Sequence, residues 1–213
     1  MSPRTPKQFQ VIREEKKTLI MNVALEYFAS EGYHNTSISQ IAKKAGISKG
    51  LMYNYFASKE ELLNEIFNKS MLEISNSFDP DEDGQLSEEE FELFVRRYFH
   101  ILREKLSFWR LFFQLMMQKV VRDQVLKAYF EPDNSVHVSM VGEGNLFLTL
   151  ASKMITEYFI RKKDKKPPDY DPILDMHMFV YTIEGFAKIT TYLDVIDNTY
   201  FEKTVNRIIE VYK

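Results

Sequence analysis

The sequence predicts an all-α chain, and three observations carry that expectation. Apolar residues recur mostly at the three- and four-residue spacing of a helix, no segment alternates in the two-residue rhythm of a strand, and only 7 Gly and 7 Pro punctuate 213 residues. At 45% hydrophobic and 14% aromatic, the chain has enough apolar surface to bury one large core or two smaller ones. It has no cysteine, which excludes disulfides, thiolate nucleophiles and Cys-based zinc sites and fits a reducing compartment. The opening "MSPRTPKQFQ" lacks the apolar centre of a signal peptide, and no stretch approaches 18 uninterrupted apolar residues. A cytoplasmic protein with no membrane association is expected.

The elements follow in order. Ile20, Val23, Ala24, Tyr27 and Phe28 form one apolar stripe on a first helix, which Gly32 ends as a left-handed cap. Ser37, with Gln40 three residues on, is a capping box opening a short second helix. Gly46 in "AGIS" breaks it, and Ser48 caps a third helix running to about Phe56. Ser58 and Glu61 open a longer fourth helix toward Phe78. Beyond an acidic segment come a helix from about Ser87 to Lys105 and another through "SFWRLFFQLMMQ". The less regular "EPDNSVHVSMVGEGN" precedes a helix to about Lys163, and the basic, Pro-rich "KKDKKPPDYDP" reads as an exposed linker. Two helices, about Ile173–Asp194 and Thr199–Tyr212, close a chain of nine or ten.

Charge is unevenly spread. The overall net of −3 argues against a polyanionic partner, but residues 1–59 hold nine Lys/Arg against four Glu and no Asp. A basic head on an acidic body can bind nucleic acid through the head alone. Within the head, "SISQIAKKAGISKGLMYNYF" is short helix, Gly turn, short helix, the layout of a helix-turn-helix whose second helix enters a DNA major groove. Met52, Tyr55 and Phe56 share the inward face of that second helix, leaving Lys49, Leu51, Tyr53 and Asn54 outward. Lys and Tyr suit phosphate, Asn54 suits a base edge or phosphate, and Leu51 suits a thymine methyl. Gly50 lets the backbone approach DNA closely.

Residues 16–67, through "FASEGY", "IAKKAGIS" and "YNYFASKEELL" in order and spacing, resemble the DNA-binding domain of TetR-type transcriptional regulators. The resemblance implies a three-helix reader, a fourth linking helix, and a divergent helical domain for ligand binding and dimerisation. By position it implies that Thr36 and Ser37 meet phosphate at the start of helix two. It places Lys49, Gly50, Leu51, Tyr53 and Asn54 at the groove and its walls, and has Lys59 reach phosphate from the start of helix four.

The expected division is residues 1–59, a DNA-binding domain, and 60–213, a ligand-binding and dimerisation domain. Beyond residue 90 only architecture supports the resemblance. Trp109, Phe112, Phe113, Met116, Tyr158 and Phe179 are candidates for an apolar ligand pocket, implying a small effector of apolar or aromatic character. The last two helices carry an apolar face with Phe179, Ile183, Phe186, Ala187 and Thr190, then Val205, Ile208, Ile209 and Tyr212. In the family such helices form the bundle of a homodimer. Four scattered histidines make no HExxH or Ser-His-Asp arrangement, so no enzyme is expected.

The acidic segment "FDPDEDGQLSEEEF" matches a calcium loop over 79–90: Asp79, Asp81, Asp83, Gly84 and Glu90 at positions 1, 3, 5, 6 and 12, with the Gln85 carbonyl at position 7. Leu86 is the apolar residue at position 8; Met71, Ile74 and Phe78 fill three of the four apolar places of an EF-hand before the loop, Ser75 being the exception, and Phe91, Phe94, Val95 and Tyr98 fill all four after it. Ser87 with Glu90 is equally a capping box for the next helix. Ca2+ is therefore the one cofactor the sequence suggests. The leading expectation is a homodimeric repressor released from a double-stranded operator by its ligand; the alternative is a calcium sensor with this loop as its main input.

Overall fold

Helical periodicity becomes helices across the described residues. The computed structural model describes residues 6–75, 83–118, 144–193 and 197–213, and among them every regular element is helical. The helices are α1 (Pro6–Glu31), α2 (Ile38–Lys44), α3 (Lys49–Tyr53), α4 (Lys59–Ser75), α5 (Glu88–Glu104), α6 (Leu106–Met116), α7 (Gly144–Arg161), α8 (Pro172–Tyr192) and α9 (Asn198–Tyr212), with a 3-10 turn at Lys162–Lys165. The chain divides into two compact units, Met1–Phe67 and Asn68–Lys213.

In the first unit, α2 packs on both α1 and α3. Ile20, Ala24, Phe28, Ile41 and Met52 are sealed from solvent, with Phe56 and Leu62 beside them; each such large side chain contributes about 1.5–3 kcal/mol by leaving water. The caps form where expected. Gly32 and Gly46 sit at φ 85 and 68, the left-handed region that costs any other residue. The third helix is shorter than its periodicity suggests. It ends at Tyr53, after which Tyr55 and Phe56 both donate to the Met52 carbonyl, at 3.0 and 3.1 Å. That tight turn swings the Phe56 ring into the core.

In the second unit, α8 packs against α5, α6, α7 and α9. Asp171 caps α8 by accepting from Ile173 and Leu174 N–H, and Pro172 takes the first helical position, where its missing donor costs nothing. Two expectations are corrected here. Part of the supposedly exposed linker turns inward: Lys162 is buried, its ammonium donates to the Tyr212 carbonyl at 2.6 Å and lies over the Tyr158 and Phe159 rings. Its methylenes pack while its charge answers an unpaired C-terminal carbonyl of α9. The apolar face assigned to self-association is largely the core of this unit, since Phe179, Ile183, Ala187, Val205, Ile208, Ile209 and Tyr212 are all buried. On α8 a different stripe faces solvent: Leu174, Met178, Tyr181, Ile189 and Tyr192 are each about half exposed. Their spacing places them within one narrow sector opposite the buried face.

Candidate nucleic-acid interface

The interface begins with three local devices. Ser37 Oγ accepts from Gln40 N–H at 3.3 Å while Gln40 Oε1 accepts from Ser37 N–H at 2.8 Å, so the start of α2 is closed by a reciprocal capping box. Ser48 Oγ accepts from Leu51 N–H at 3.1 Å and starts α3. At the start of α4, Ser58 Oγ accepts from Glu61 N–H at 3.0 Å and the Glu61 carboxylate accepts from Ala57 N–H. Between them these caps fix where α2, α3 and α4 start, and with the start of α3 which side of it faces out.

The outward side carries most of the expected set. Ser37, Lys49, Gly50, Leu51, Tyr53 and Asn54 are all exposed, while Ile38, Ile41 and Met52 beneath them are buried. Thr36 and Lys59 are placed differently. Thr36 is 1% exposed, and its hydroxyl points back at the Gly32 and Tyr27 carbonyls, 3.0 and 3.2 Å away. The Lys59 ammonium sits against the loop between α1 and α2, donating to Tyr33 O at 2.8 Å and Thr36 O at 2.9 Å, with His34 O at 3.5 Å. It also stands 4.4 Å from the centre of the Tyr33 ring. Burial, followed by the Glu60 charge, raises the Tyr33 phenol above its usual range.

Two supporting residues carried no expectation. Arg13 donates to the Asn54 carbonyl at 3.1 Å and covers the Tyr55 ring, so it closes the end of α3. Lys17 pairs with Glu65 at 3.0 Å and covers the Phe56 ring. Both lie one turn apart on α1. The signal available in the sequence was two cations four residues apart, facing the aromatic pair Tyr55 and Phe56.

Residues 20–66 match the profile of bacterial regulatory proteins of the tetR family. The head is a tetR-family domain. The HTH-type transcriptional regulator YuxN of Bacillus subtilis is 46% identical over 67 residues, 30% of this chain and 23% of that protein. The fatty acid metabolism regulator protein of Bacillus subtilis is 30% identical over 103 residues, 48% of each chain. The chain thus spans between about a quarter and a half of the length of these curated relatives. Among solved structures, the fatty acid degradation regulator FadR from Bacillus halodurans superposes with a TM-score of 0.60 at 21% identity, covering 98% of this chain and 96% of that one. FadR from Bacillus subtilis in complex with stearoyl-CoA gives 0.60 at 20% identity, covering 92% and 96%. At such identities the likeness is one of fold.

Outside the tetR-family head, the six pocket candidates fall into two aromatic groups. Trp109, Phe112 and Phe113 pack ring to ring on α6, with Met116 one turn on and half-buried. Tyr158 and Phe179 meet instead across Phe91, with ring centres 4.5 and 5.0 Å from it. None of the six lines the groove of about 520 Å³ that runs between α5 and α9 past Arg96, His100, Arg103 and Phe201.

The calcium-loop candidates are divided. Asp79 and Asp81 lie outside the described residues. Asp83 accepts from Gln85 N–H at 2.7 Å, and Gly84 takes φ 74. The Glu90 carboxylate accepts from Ser87 N–H at 2.8 Å and Ser87 Oγ accepts from Glu90 N–H at 3.1 Å, so the capping box is formed. Among the described residues no three acidic or histidine side chains gather closely enough to hold a metal ion, and none of the helices is long and apolar enough to cross a membrane.

Proposed function

We propose that the chain is a homodimeric transcriptional regulator: the tetR-family head binds an operator in double-stranded DNA, and an apolar effector held by the helical body releases it. The observation that carries this reading is the solvent-facing set Ser37, Lys49, Gly50, Leu51, Tyr53 and Asn54 on a helix pair whose inner face, Ile38, Ile41 and Met52, is buried. Ser37, Lys49 and Tyr53 supply phosphate contacts, Leu51 and Asn54 supply base-edge contacts, and Gly50 sets the distance of approach. Thr36 acts from within, its hydroxyl tying Ser37 to the end of α1. The two-sidedly apolar α6, with Trp109, Phe112, Phe113 and Met116, is the wall offered to the effector, while Tyr158 and Phe179 belong to the separate buried cluster around Phe91.

Long-chain acyl-CoA is the effector class to test first, because a regulator of the same fold is known with stearoyl-CoA and a sequence relative is a fatty acid metabolism regulator. Calcium is the second reading of the input. Gly84 at φ 74 and the fully buried Leu86 match the turn and the apolar position that such a loop requires. Binding there needs Glu90 to leave the Ser87 N–H and turn its carboxylate to the ion.

One mobility-shift experiment with the DNA upstream of the chain's own gene separates these claims. A complex that survives excess unrelated DNA is expected, dissolving with stearoyl-CoA and unaffected by free coenzyme A. Absence of any complex above non-specific binding at low salt overturns the regulator reading. Retention of the complex with every acyl-CoA tested removes that effector class, and equal affinity with calcium and with chelator removes the loop as an input.

A further inference from the structure

We propose that Lys59 is a positioning residue: its ammonium gathers the main-chain carbonyls of Tyr33, Thr36 and His34 and thereby sets the α1–α2 loop that presents Ser37 to DNA, rather than contacting phosphate itself. This rests on the DNA-binding reading of the head. It departs from the role that the tetR-family pattern implies for this position.

Stoichiometry makes the case. An ammonium has three N–H donors and no acceptor. Two point at Tyr33 O and Thr36 O, at 2.8 and 2.9 Å, and the third faces His34 O at 3.5 Å. The Tyr33 ring lies on a further side, its centre 4.4 Å from the nitrogen. A phosphate oxygen would have to displace one of these groups. The carbonyls need the ammonium in their turn, because the loop between α1 and α2 has no ladder to satisfy them.

Helix electrostatics points the same way. Lys59 is the first residue of α4, where the dipole disfavours a cation. Glu60 and Glu61 occupy that same turn and complement the dipole. The lysine side chain leaves the axis and spends its charge 23 to 26 residues away in sequence. It lands on the two residues that bracket the approach to the Ser37 cap. Thr36 is then held twice, by its hydroxyl against α1 and by its carbonyl against α4, and Ser37 follows it directly.

Two measurements on the full-length protein test this. The first uses wild type alone: competitive acetylation of lysine amines, read by mass spectrometry with and without operator. Lys59 is expected to react at least tenfold more slowly than the exposed Lys43 and Lys49 before DNA is added, and to change little afterwards. Reaction at the rate of Lys49 in the free protein, with protection only on DNA, overturns the proposal.

The second compares Lys59→Arg and Lys59→Met, both checked for unchanged thermal unfolding of the body. An arginine keeps the charge but its planar fork does not fit a cup of three carbonyls. Both variants are therefore expected to lose at least tenfold in operator affinity, with faster hydrogen exchange at Ser37–Gln40 in the DNA-free protein. The slope of log affinity against log salt is expected to stay as in wild type. A direct phosphate contact gives the opposite pattern: Lys59→Arg near wild type, and Lys59→Met with a slope shallower by about one. If wild type binds no DNA at all, the regulator reading fails, while the acetylation result still judges the clamp.

Discussion

Gly50 separates what the fold requires from what a ligand requires. A Cβ built there meets only Ser48 Oγ at 4.0 Å, and the backbone is not in the left-handed region; the fold would accept alanine. Gly32 and Gly46, at φ 85 and 68, are glycines the turns do require. Gly50→Ala is accordingly expected to leave thermal stability unchanged or raise it by up to about 1 kcal/mol, while weakening operator binding at least tenfold. Gly46→Ala should destabilise the head by roughly 1–2 kcal/mol. Thermal melts and binding isotherms of the two variants check the pair, and tight DNA binding by Gly50→Ala would remove the close approach assigned to that position. Which residues sit on the outer face of α3 was legible in the sequence, because periodicity alone sorts inside from outside. The direction of Thr36 and Lys59 was not. A hydroxyl or an ammonium near a helix start can serve solvent or carbonyl equally well, and the choice is made by loop carbonyls that only the folded α1–α2 connection brings near.

At the scale of the element, helix starts were legible to within a residue or so because capping is local chemistry: Ser37, Ser48, Ser58 and Ser87 all accept the N–H three residues on. The run after α7 was not legible, since its composition is that of a solvated linker while Lys162 is drawn in by the distant end of α9. Tyr158 shares that corner. It is 3% exposed, stacks on Phe91, and its hydroxyl donates to the Lys213 carbonyl at 3.3 Å. Burial first, then the Glu88 charge, pushes its phenol well above the usual value of 10.0. When a folded pKa is raised, the unfolded chain loses its proton first, so the stabilisation is complete below pH 10 and is lost as pH climbs beyond it. Lys162, lowered by burial and then by Lys166, works in the opposite sense, adding stability as pH rises toward the usual lysine value. Urea denaturation between pH 8 and 11 is expected to show falling stability on the alkaline side, with a shallower fall in Tyr158→Phe. An equal fall in both proteins would show that Tyr158 does not carry the effect.

At the scale of the whole molecule, the proposed homodimer needs a face to share, and the described residues leave one exposed on α8. Leu174, Met178, Tyr181, Ile189 and Tyr192 run along α8 with exposures of 58%, 47%, 55%, 49% and 50%, while the opposite side of the same helix, Met176, Phe179, Ile183 and Ala187, is core. Gly185 lies within the stripe with open space above it, so a partner helix can approach closely there. A stripe of this length, shared with a second copy about a two-fold axis, is self-complementary. A second head also converts weak contact with one half-site into useful affinity, since its binding becomes intramolecular. Met178→Glu and Tyr181→Glu together place two carboxylates on each side of that axis. They are expected to shift the chain from dimer to monomer in sedimentation and to lower operator affinity by about a hundredfold or more, as loss of avidity implies, while the helical signal and the melting of the isolated fold persist. Tyr200→Glu, equally exposed but on α9, should leave both readings unchanged. A double variant that stays dimeric would place the contact on another face, and a monomeric one that still binds at full strength would sever dimerisation from DNA recognition.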